Sequence, residues 1–183
     1  HATPQSMTTP TSDPIGDIGL LSHPNKTAFL TSRRTPDSCR PAIREWLDSL
    51  SPDGDCVMIG GIQKLERDVF LGLLRRRVPT ILVLAEPMPK MWPIGVVDAI
   101  GDGRLLVLTT ADFLLPWVDK YGMAADRNKF MVANAERVVV AMCRPGGFIS
   151  RQVQAAKAVT YLTAYNPWDG TGADPAMAMA AEE

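Results

Sequence analysis

Four short segments of the chain combine residue types that bind phosphate or carboxylate groups. One segment has hydroxyl and guanidinium side chains, two have glycine pairs that let a ligand approach the backbone, and one is an Arg-Asn-Lys run. A glycine pair that opens a helix also presents backbone N–H groups to an anion. The candidate binding residues are Ser32, Arg33, Gly60, Gly61, Arg127, Asn128, Lys129, Gly146, Gly147 and Ser150.

Each of these segments also has a purely structural explanation. Surface arginines occur without a ligand, and a glycine pair can simply make a tight turn. Three consecutive helical residues, such as Arg127 to Lys129, point in different directions and form a polar face more often than a site. Ser150 can serve as a helix cap. Only the joint placement of the segments favours a binding site.

Two further charged groups have weaker claims to function. The run from Arg75 to Arg77 stands at a predicted helix C-terminus, where the helix dipole favours cations without any partner. Glu66 and Asp68 lie on a predicted helix near Gly61, but a carboxylate pair without histidine or metal partners indicates no reaction.

Apolar runs alternate with helical patterns along the middle of the chain. Runs of this kind, with helices between them, are typical of a parallel sheet covered on both faces. The sequence therefore predicts an α/β fold with a doubly wound, mostly parallel Rossmann-like sheet and helices on both faces. Strands are predicted at 27–31, 56–59, 80–84, 105–108, 137–142 and 159–163, and helices after Asp37 or Ser38, from Leu65 to Leu73, and at 94–100, 117–134 and 150–158.

The predicted sheet places the candidate segments at one edge. Ligands of doubly wound sheets bind outside the carboxyl ends of the strands, where the strand order reverses. We therefore expect Arg33, Gly60, Arg127 and Gly146 to converge in a single cleft at that edge.

Composition limits the possible functions. The chain has 183 residues, with 19 Lys and Arg against 20 Asp and Glu, so a nucleic-acid site must be a local patch. No apolar run reaches the roughly 18 residues of a membrane span. Two histidines near the N-terminus and three widely spaced cysteines, Cys39, Cys56 and Cys143, argue against a metal site, a cofactor or a histidine-based triad. They favour reduced thiols in a cytoplasmic protein.

The composition also predicts three regions. Residues 1–24 are rich in Pro, Thr, Ser and Asp and are predicted to be a flexible arm, and residues 1–6 are interpreted as the remnant of a tag. Residues 25–164 are predicted to form the Rossmann-like domain, and residues 165–183 a flexible tail.

The order of these segments resembles the Rossmann-like core of the DNA-processing family DprA, also called Smf, within the SLOG superfamily. The resemblance covers about residues 20–164: strand, Ser-Arg, helix, strand, Gly-Gly, helix, then an Arg-Asn-Lys helix, a valine-rich strand and Gly-Gly-Phe-Ile-Ser. Its most specific part runs from Asp126 to Ala133 and leads into Val138 to Val140.

The resemblance implies a phosphate site without catalysis. DprA proteins bind single-stranded DNA and help to load a recombinase, and the ten candidate residues match their phosphate pocket. The chain departs from the family pattern where Ile59 replaces a serine. The LOG hydrolases of the same superfamily place a catalytic glutamate after their glycine pair, but here Ser150 is followed by Arg151 and Gln152, so no catalytic residue is predicted.

Three functions remain open at this point. The first is binding of single-stranded DNA or a nucleotide without catalysis. The second is a nucleotide sensor or a LOG-like nucleotide hydrolase, although the glutamate is not found. The third is a degenerate scaffold that forms homodimers, for example through the edges of the sheet.

Overall fold

A seven-stranded sheet runs through the computed structural model, which describes residues 13–61, 63–111 and 120–166. The strands are β1 (Ile15–Gly16), β2 (Lys26–Leu30), β3 (Cys56–Ile59), β4 (Thr80–Leu84), β5 (Leu105–Thr109), β6 (Arg137–Val140) and β7 (Val159–Tyr161). Their order is β1-β5-β4-β3-β2-β6-β7. All neighbouring strands are parallel except β1, which is antiparallel to β5.

Helices cover both faces of this sheet. They are α1 (Arg40–Asp48), α2 (Lys64–Arg75), α3 (Ile94–Gly101), α4 (Lys120–Asn134) and α5 (Phe148–Gln152). Buried residues of α1, α2 and α3 pack on one face, and those of α4 and α5 pack on the other. The prediction of a doubly wound, mostly parallel α/β sheet is therefore confirmed.

The central strands are mostly apolar because both faces of the sheet are covered. Every residue of β2, β3, β4 and β5 is buried. Along β3 the side chains alternate between the two cores: Val57 and Ile59 pack under α1 and α2, and Cys56 and Met58 pack on the other face.

The last helix differs from its predicted position. Instead of covering 150–158, α5 begins after an N-cap at Gly147 and ends at Gln152, where a short 3-10 turn at Val153–Ala155 follows. Ser150 is therefore a residue inside the helix and not its cap. The earlier start buries Ile149 in the core of the α4 face. For the predicted helix 117–134, residues 117–119 lie outside the described residues.

The sheet begins before the predicted domain boundary at residue 25. Ile15 and Gly16 pair with Val107 and Leu106, and Leu20 is buried. Gly16 has φ +106°, and a Cβ there would lie 2.1 Å from the carbonyl oxygen of Leu105, so only glycine fits. The part of the predicted arm from residue 13 onward thus belongs to the fold. Residues 1–12 and 167–183 lie outside the described residues.

The three cysteines are buried and form no disulfide bond within the described residues. Burial raises the pKa of Cys56 to about 12, so this thiol stays protonated and unreactive at neutral pH. Among the described residues, no helix has the length and apolar character to cross a bilayer.

Core packing of α2 gives a test of the fold. Leu73 is fully buried, whereas Leu71 of the same helix is 45% exposed. We expect Leu73→Ala to lower the free energy of unfolding by about 2–5 kcal/mol. Leu71→Ala, which makes the same change in helix propensity, should lower it by less than about 0.5 kcal/mol. Urea unfolding measures both values, and equal losses would contradict the packing described.

Candidate functional site

A cavity of about 310 Å³ lies at the carboxyl edge of the sheet. It is bounded by the loop after β2, the start of α2, the first turns of α4 and the start of α5. The strand order reverses between β2 and β6, so this is the place where such sheets bind ligands. The lining residues are Thr31, Ser32, Arg33, Gln63, Gly122, Ala124, Ala125, Arg127, Asn128, Phe148 and Ile149.

Hydroxyl groups shape the loop after β2. The Ser32 hydroxyl lies 3.2 Å from the Thr35 hydroxyl, and the Thr35 hydroxyl donates to the Ser32 carbonyl at 3.1 Å. Both Thr31 and Ser32 are buried, whereas Arg33 is exposed. The turn therefore places one guanidinium group at the cavity with access to solvent.

Arg127, the second cation of the cavity lining, is buried in an ion pair. Its Nη2 atom lies 3.9 Å from Oε2 of Glu66, and the two side chains are only 6% and 3% exposed. The Nε atom donates to Oδ1 of Asn128 at 2.9 Å. Loss of Arg127 would leave the Glu66 carboxylate buried without its cation, which costs about 3–5 kcal/mol. Arg127 therefore supports the cavity wall, and its charge is already balanced.

The Nη1 atom of Arg127 has no hydrogen-bond partner among the described residues. This atom packs against the backbone of Gly60, and its solvent exposure is negligible. Arg127 therefore presents little of its guanidinium group to a ligand.

A chain of hydrogen bonds continues from Arg127 to α5. Asn128 donates through Nδ2 to Oε1 of Gln152 at 2.9 Å, and Gln152 donates through Nε2 to the carbonyl of Ala125 at 3.1 Å. An amide at position 152 can accept and donate at once, which a carboxylate cannot do. Gln152 thus joins α5 to α4 beside the cavity.

Glu66 also fixes the start of α2. Its Oε1 atom accepts from the backbone N–H of Gln63 at 3.1 Å, and the Gln63 side chain accepts from the backbone N–H of Glu66. This reciprocal capping box satisfies two N–H groups at the helix start. It also holds Gln63 at the cavity, so one glutamate positions both Gln63 and Arg127.

Gly60 makes room for the arginine. A Cβ at position 60 would lie 2.0 Å from Nη1 and 2.6 Å from Cζ of Arg127, and 3.0 Å from Oε2 of Glu66. At Gly61 the nearest atom would be Cδ1 of Leu82 at 3.4 Å, an ordinary contact. Gly60 thus admits a side chain of the protein itself, and ligand contact by this glycine pair stays a prediction.

The second glycine pair also differs from its prediction. The backbone N–H of Gly146 donates to the Ser150 hydroxyl at 3.3 Å, and that of Gly147 donates to the Arg144 carbonyl at 2.9 Å. The sequence predicts that these two N–H groups are available to an anion. In the structure both are instead hydrogen-bonded within the turn. Phe148 and Ile149 of the same turn line the cavity in their place.

Four of the ten candidate residues thus line one cavity: Ser32, Arg33, Arg127 and Asn128. The other six lie at the same edge of the sheet or on α4 without lining it, and Lys129 is exposed on α4. Ligand binding by these residues stays a prediction. Sequence reasoning missed Gln63, Glu66, Phe148 and Gln152. Only the Gln-x-x-Glu spacing of the capping box was a usable signal for them.

The cavity lining includes several side chains that can bind a ligand. The lining provides guanidinium, hydroxyl, amide and aromatic groups, and no Asp or Glu is found among the described lining residues. Asp126 is buried on α4, and desolvation raises the pKa of its carboxyl while the nearby Lys129 opposes this effect. No group of three or more potential metal ligands occurs in the described part of the chain.

Comparison with solved structures identifies the fold. DNA processing protein A from Helicobacter pylori, described for its unique mode of binding single-stranded DNA, superposes with a TM-score of 0.57 at 18% identity. The match covers 98% of this chain and 85% of that protein. DNA processing protein A (DprA) from Streptococcus pneumoniae superposes with a TM-score of 0.59, also at 18% identity, over 81% of this chain. The chain therefore has a DprA-like fold.

The chain spans about half of the Streptococcus pneumoniae protein, with 53% of that protein covered. No protein-family model matches the sequence, and a search of curated proteins finds no match.

The fit between Gly60 and the buried ion pair can be tested with adjacent variants. Both Gly60 and Gly61 have ordinary backbone angles, so alanine adds only a methyl group. We expect Gly60→Ala to lower the free energy of unfolding by about 1–3 kcal/mol, because its Cβ collides with the Arg127 guanidinium. Gly61→Ala should change it by less than about 0.5 kcal/mol. Equal effects in thermal or urea unfolding would show that the close approach is not real.

Proposed function

We propose that this domain binds single-stranded DNA without catalysing a reaction, and that the cavity holds one phosphate with part of its nucleotide. The observation that carries the proposal is the convergence of Arg33, Ser32, Asn128 and Phe148 on one cavity at the point where the strand order reverses. The DprA-like fold supports it, because the Helicobacter pylori protein of this fold is described as binding single-stranded DNA.

Arg33 is the main phosphate ligand in this proposal. It is the exposed cation of the cavity lining, and a guanidinium group can contact two phosphate oxygens at once. The net charge of the chain is −1, so attraction to DNA must come from such local groups and not from the whole molecule. Arg127 contributes a weaker field because Glu66 lies beside it.

The remaining walls suit a nucleoside. Phe148 is half-buried beside Ile149, and its ring could stack on a base. Gly122, Ala124 and Ala125 form a wall of small residues that leaves space for the ligand. A volume of about 310 Å³ is at the small end of the range for ligand sites, so it accommodates one nucleotide unit, and a longer strand must continue over the surface.

The side chains that line the cavity support binding without catalysis. Hydrolysis of a nucleotide by the LOG chemistry needs a carboxylate, and the described lining has none. Gln152, which stands near the place where the LOG pattern has its glutamate, is an amide occupied by Asn128 and Ala125.

A nucleotide sensor is the second candidate. The cavity volume favours it, since a single mononucleotide could fill the site without further contacts. The two functions differ in how affinity depends on chain length: a sensor gains nothing from additional nucleotides, whereas a strand-binding surface does.

Substitution of Arg33 tests the proposed phosphate contact. We expect Arg33→Ala to weaken binding of a labelled single-stranded oligonucleotide and to reduce the slope of log K against log salt by about 0.7, the contribution of one phosphate contact. The matched control is Lys157→Ala. It removes one exposed charge just before β7, at the amino ends of the parallel strands and away from the cavity. Fluorescence anisotropy over a salt series measures both, and equal slopes in the two variants would exclude a specific contact at Arg33.

Ligand length distinguishes the two candidates. We expect a ten-nucleotide strand to bind at least tenfold more tightly than the corresponding mononucleotide, because it adds contacts outside the cavity. Thermal unfolding with each ligand gives the comparison, since a ligand at 100 times its dissociation constant stabilises the fold by about 2.7 kcal/mol. Equal affinities would favour the sensor, and no shift with either ligand would oppose both functions.

A further inference from the structure

A second charged depression lies between α1 and α2, on the opposite face of the sheet from α4 and α5. It has a volume of about 150 Å³, and four arginines line it with one carboxylate: Arg40, Arg44, Arg75, Arg76 and Asp68. We name it the arginine groove. Nothing in the proposed DNA site uses these residues.

Ion pairs close both ends of the groove. At one end Arg40 and Lys64 both contact Oδ2 of Asp68, at 3.0 and 3.1 Å, and the Lys64 and Arg40 hydrogen bonds lower the pKa of that carboxyl. At the other end Arg76 donates through Nε and Nη2 to Oδ1 of Asp48 at 3.0 and 2.7 Å. The positive charges of Arg40 and Arg76 are therefore balanced within the protein.

The two arginines between these ends are different. Arg44 on α1 and Arg75 on α2 are exposed, and neither has a hydrogen bond or ion pair with any of the described residues. Arg44 lies one helical turn from Asp48, but Asp48 is engaged by Arg76. Two guanidinium groups thus line one depression on opposing helices, and no acid of the described chain neutralises them.

Gly72 keeps the groove open between the helices. A Cβ at this position would lie 3.1 Å from Cδ1 of Leu47 and 3.2 Å from Nη1 of Arg76. The Gly72 carbonyl accepts from that Nη1 at 3.0 Å, which holds Arg76 along the end of the groove. A larger residue at 72 would therefore press against Leu47 and Arg76, which both line the groove.

We propose that the arginine groove binds a compact oxyanion of the phosphate class between Arg44 and Arg75. The planar fork of arginine matches phosphate oxygens, and two forks from separate helices can contact one anion from two sides. A volume of about 150 Å³ accommodates such a group but not a peptide helix. The ion pairs of Asp68 and Asp48 leave the unpaired cations of the described groove lining in its middle, between two neutral ends, which favours an isolated phosphate group over a continuous nucleic-acid strand.

The test uses inorganic phosphate and pyrophosphate as probes, with the full chain and isothermal titration calorimetry at low salt. We expect saturable binding of pyrophosphate and a loss of at least tenfold in affinity when Arg44→Ala and Arg75→Ala are combined. The matched control is Arg67→Ala, which removes an exposed cation of α2 outside the groove. Arg67→Ala should change the affinity by less than twofold.

Several outcomes would overturn the proposal. They are the absence of saturable binding by the unmodified protein, an equal loss in Arg67→Ala, and tighter binding of a polyglutamate peptide than of pyrophosphate. If oligonucleotide affinity falls as much in the groove variant as in Arg33→Ala, the groove belongs to the path of a DNA strand and the compact-anion site is wrong. Since Arg33 does not line the groove, the absence of an anion site in the groove would not contradict the proposed DNA site.

A fold control keeps the result interpretable. Both arginines are exposed, so we expect the alanine variant to unfold at the same denaturant midpoint as the unmodified protein. If it does not, the comparison uses Arg44→Lys with Arg75→Lys against Arg44→Gln with Arg75→Gln. The lysine variant keeps both charges, and the proposal requires it to bind pyrophosphate more tightly than the glutamine variant.

Discussion

The buried pair of Glu66 and Arg127 is the interaction on which the candidate site depends. Both side chains are almost inaccessible to water, so each charge is tolerated only because the other is beside it. Glu66 also caps α2 and holds Gln63, while Arg127 holds Asn128 and, through it, Gln152. One ion pair therefore fixes three of the elements that bound the cavity, and the close approach at Gly60 belongs to the same arrangement.

This constraint divides the cations of the cavity into two kinds. Arg127 is buried and gives the cavity its shape, whereas Arg33 is exposed on a loop turned by Ser32 and Thr35. A ligand can therefore reach Arg33 from solvent. Binding energy is therefore expected to come mainly from the loop after β2, although the sequence motif around Arg127 is the more specific part of the family resemblance.

The fold was predictable because its signals are local. Each apolar run, such as 80–84 or 56–59, is long enough for one strand, and the helical spacing between runs leaves a parallel doubly wound sheet as the simplest arrangement. The site was predictable only in part, because pairing is not local. Glu66 and Arg127 are far apart in sequence, and nothing in either segment shows that they meet. The helix start at Phe148 was missed because a buried Ile149 outweighed a serine cap.

Because charge pairing is not local in sequence, the amino-acid composition says little about ligand binding. A net charge of −1 suggests no anion site, yet what matters is how the charges pair in three dimensions. Arg40, Arg76, Arg104 and Arg127 each lie beside an acidic side chain and contribute little outward potential. Arg44 and Arg75 lie close to those pairs but outside them, on two parallel helices. A nearly neutral chain can therefore present a positive site on each face of its sheet. Such a site forms where the fold pairs the acidic side chains with other cations.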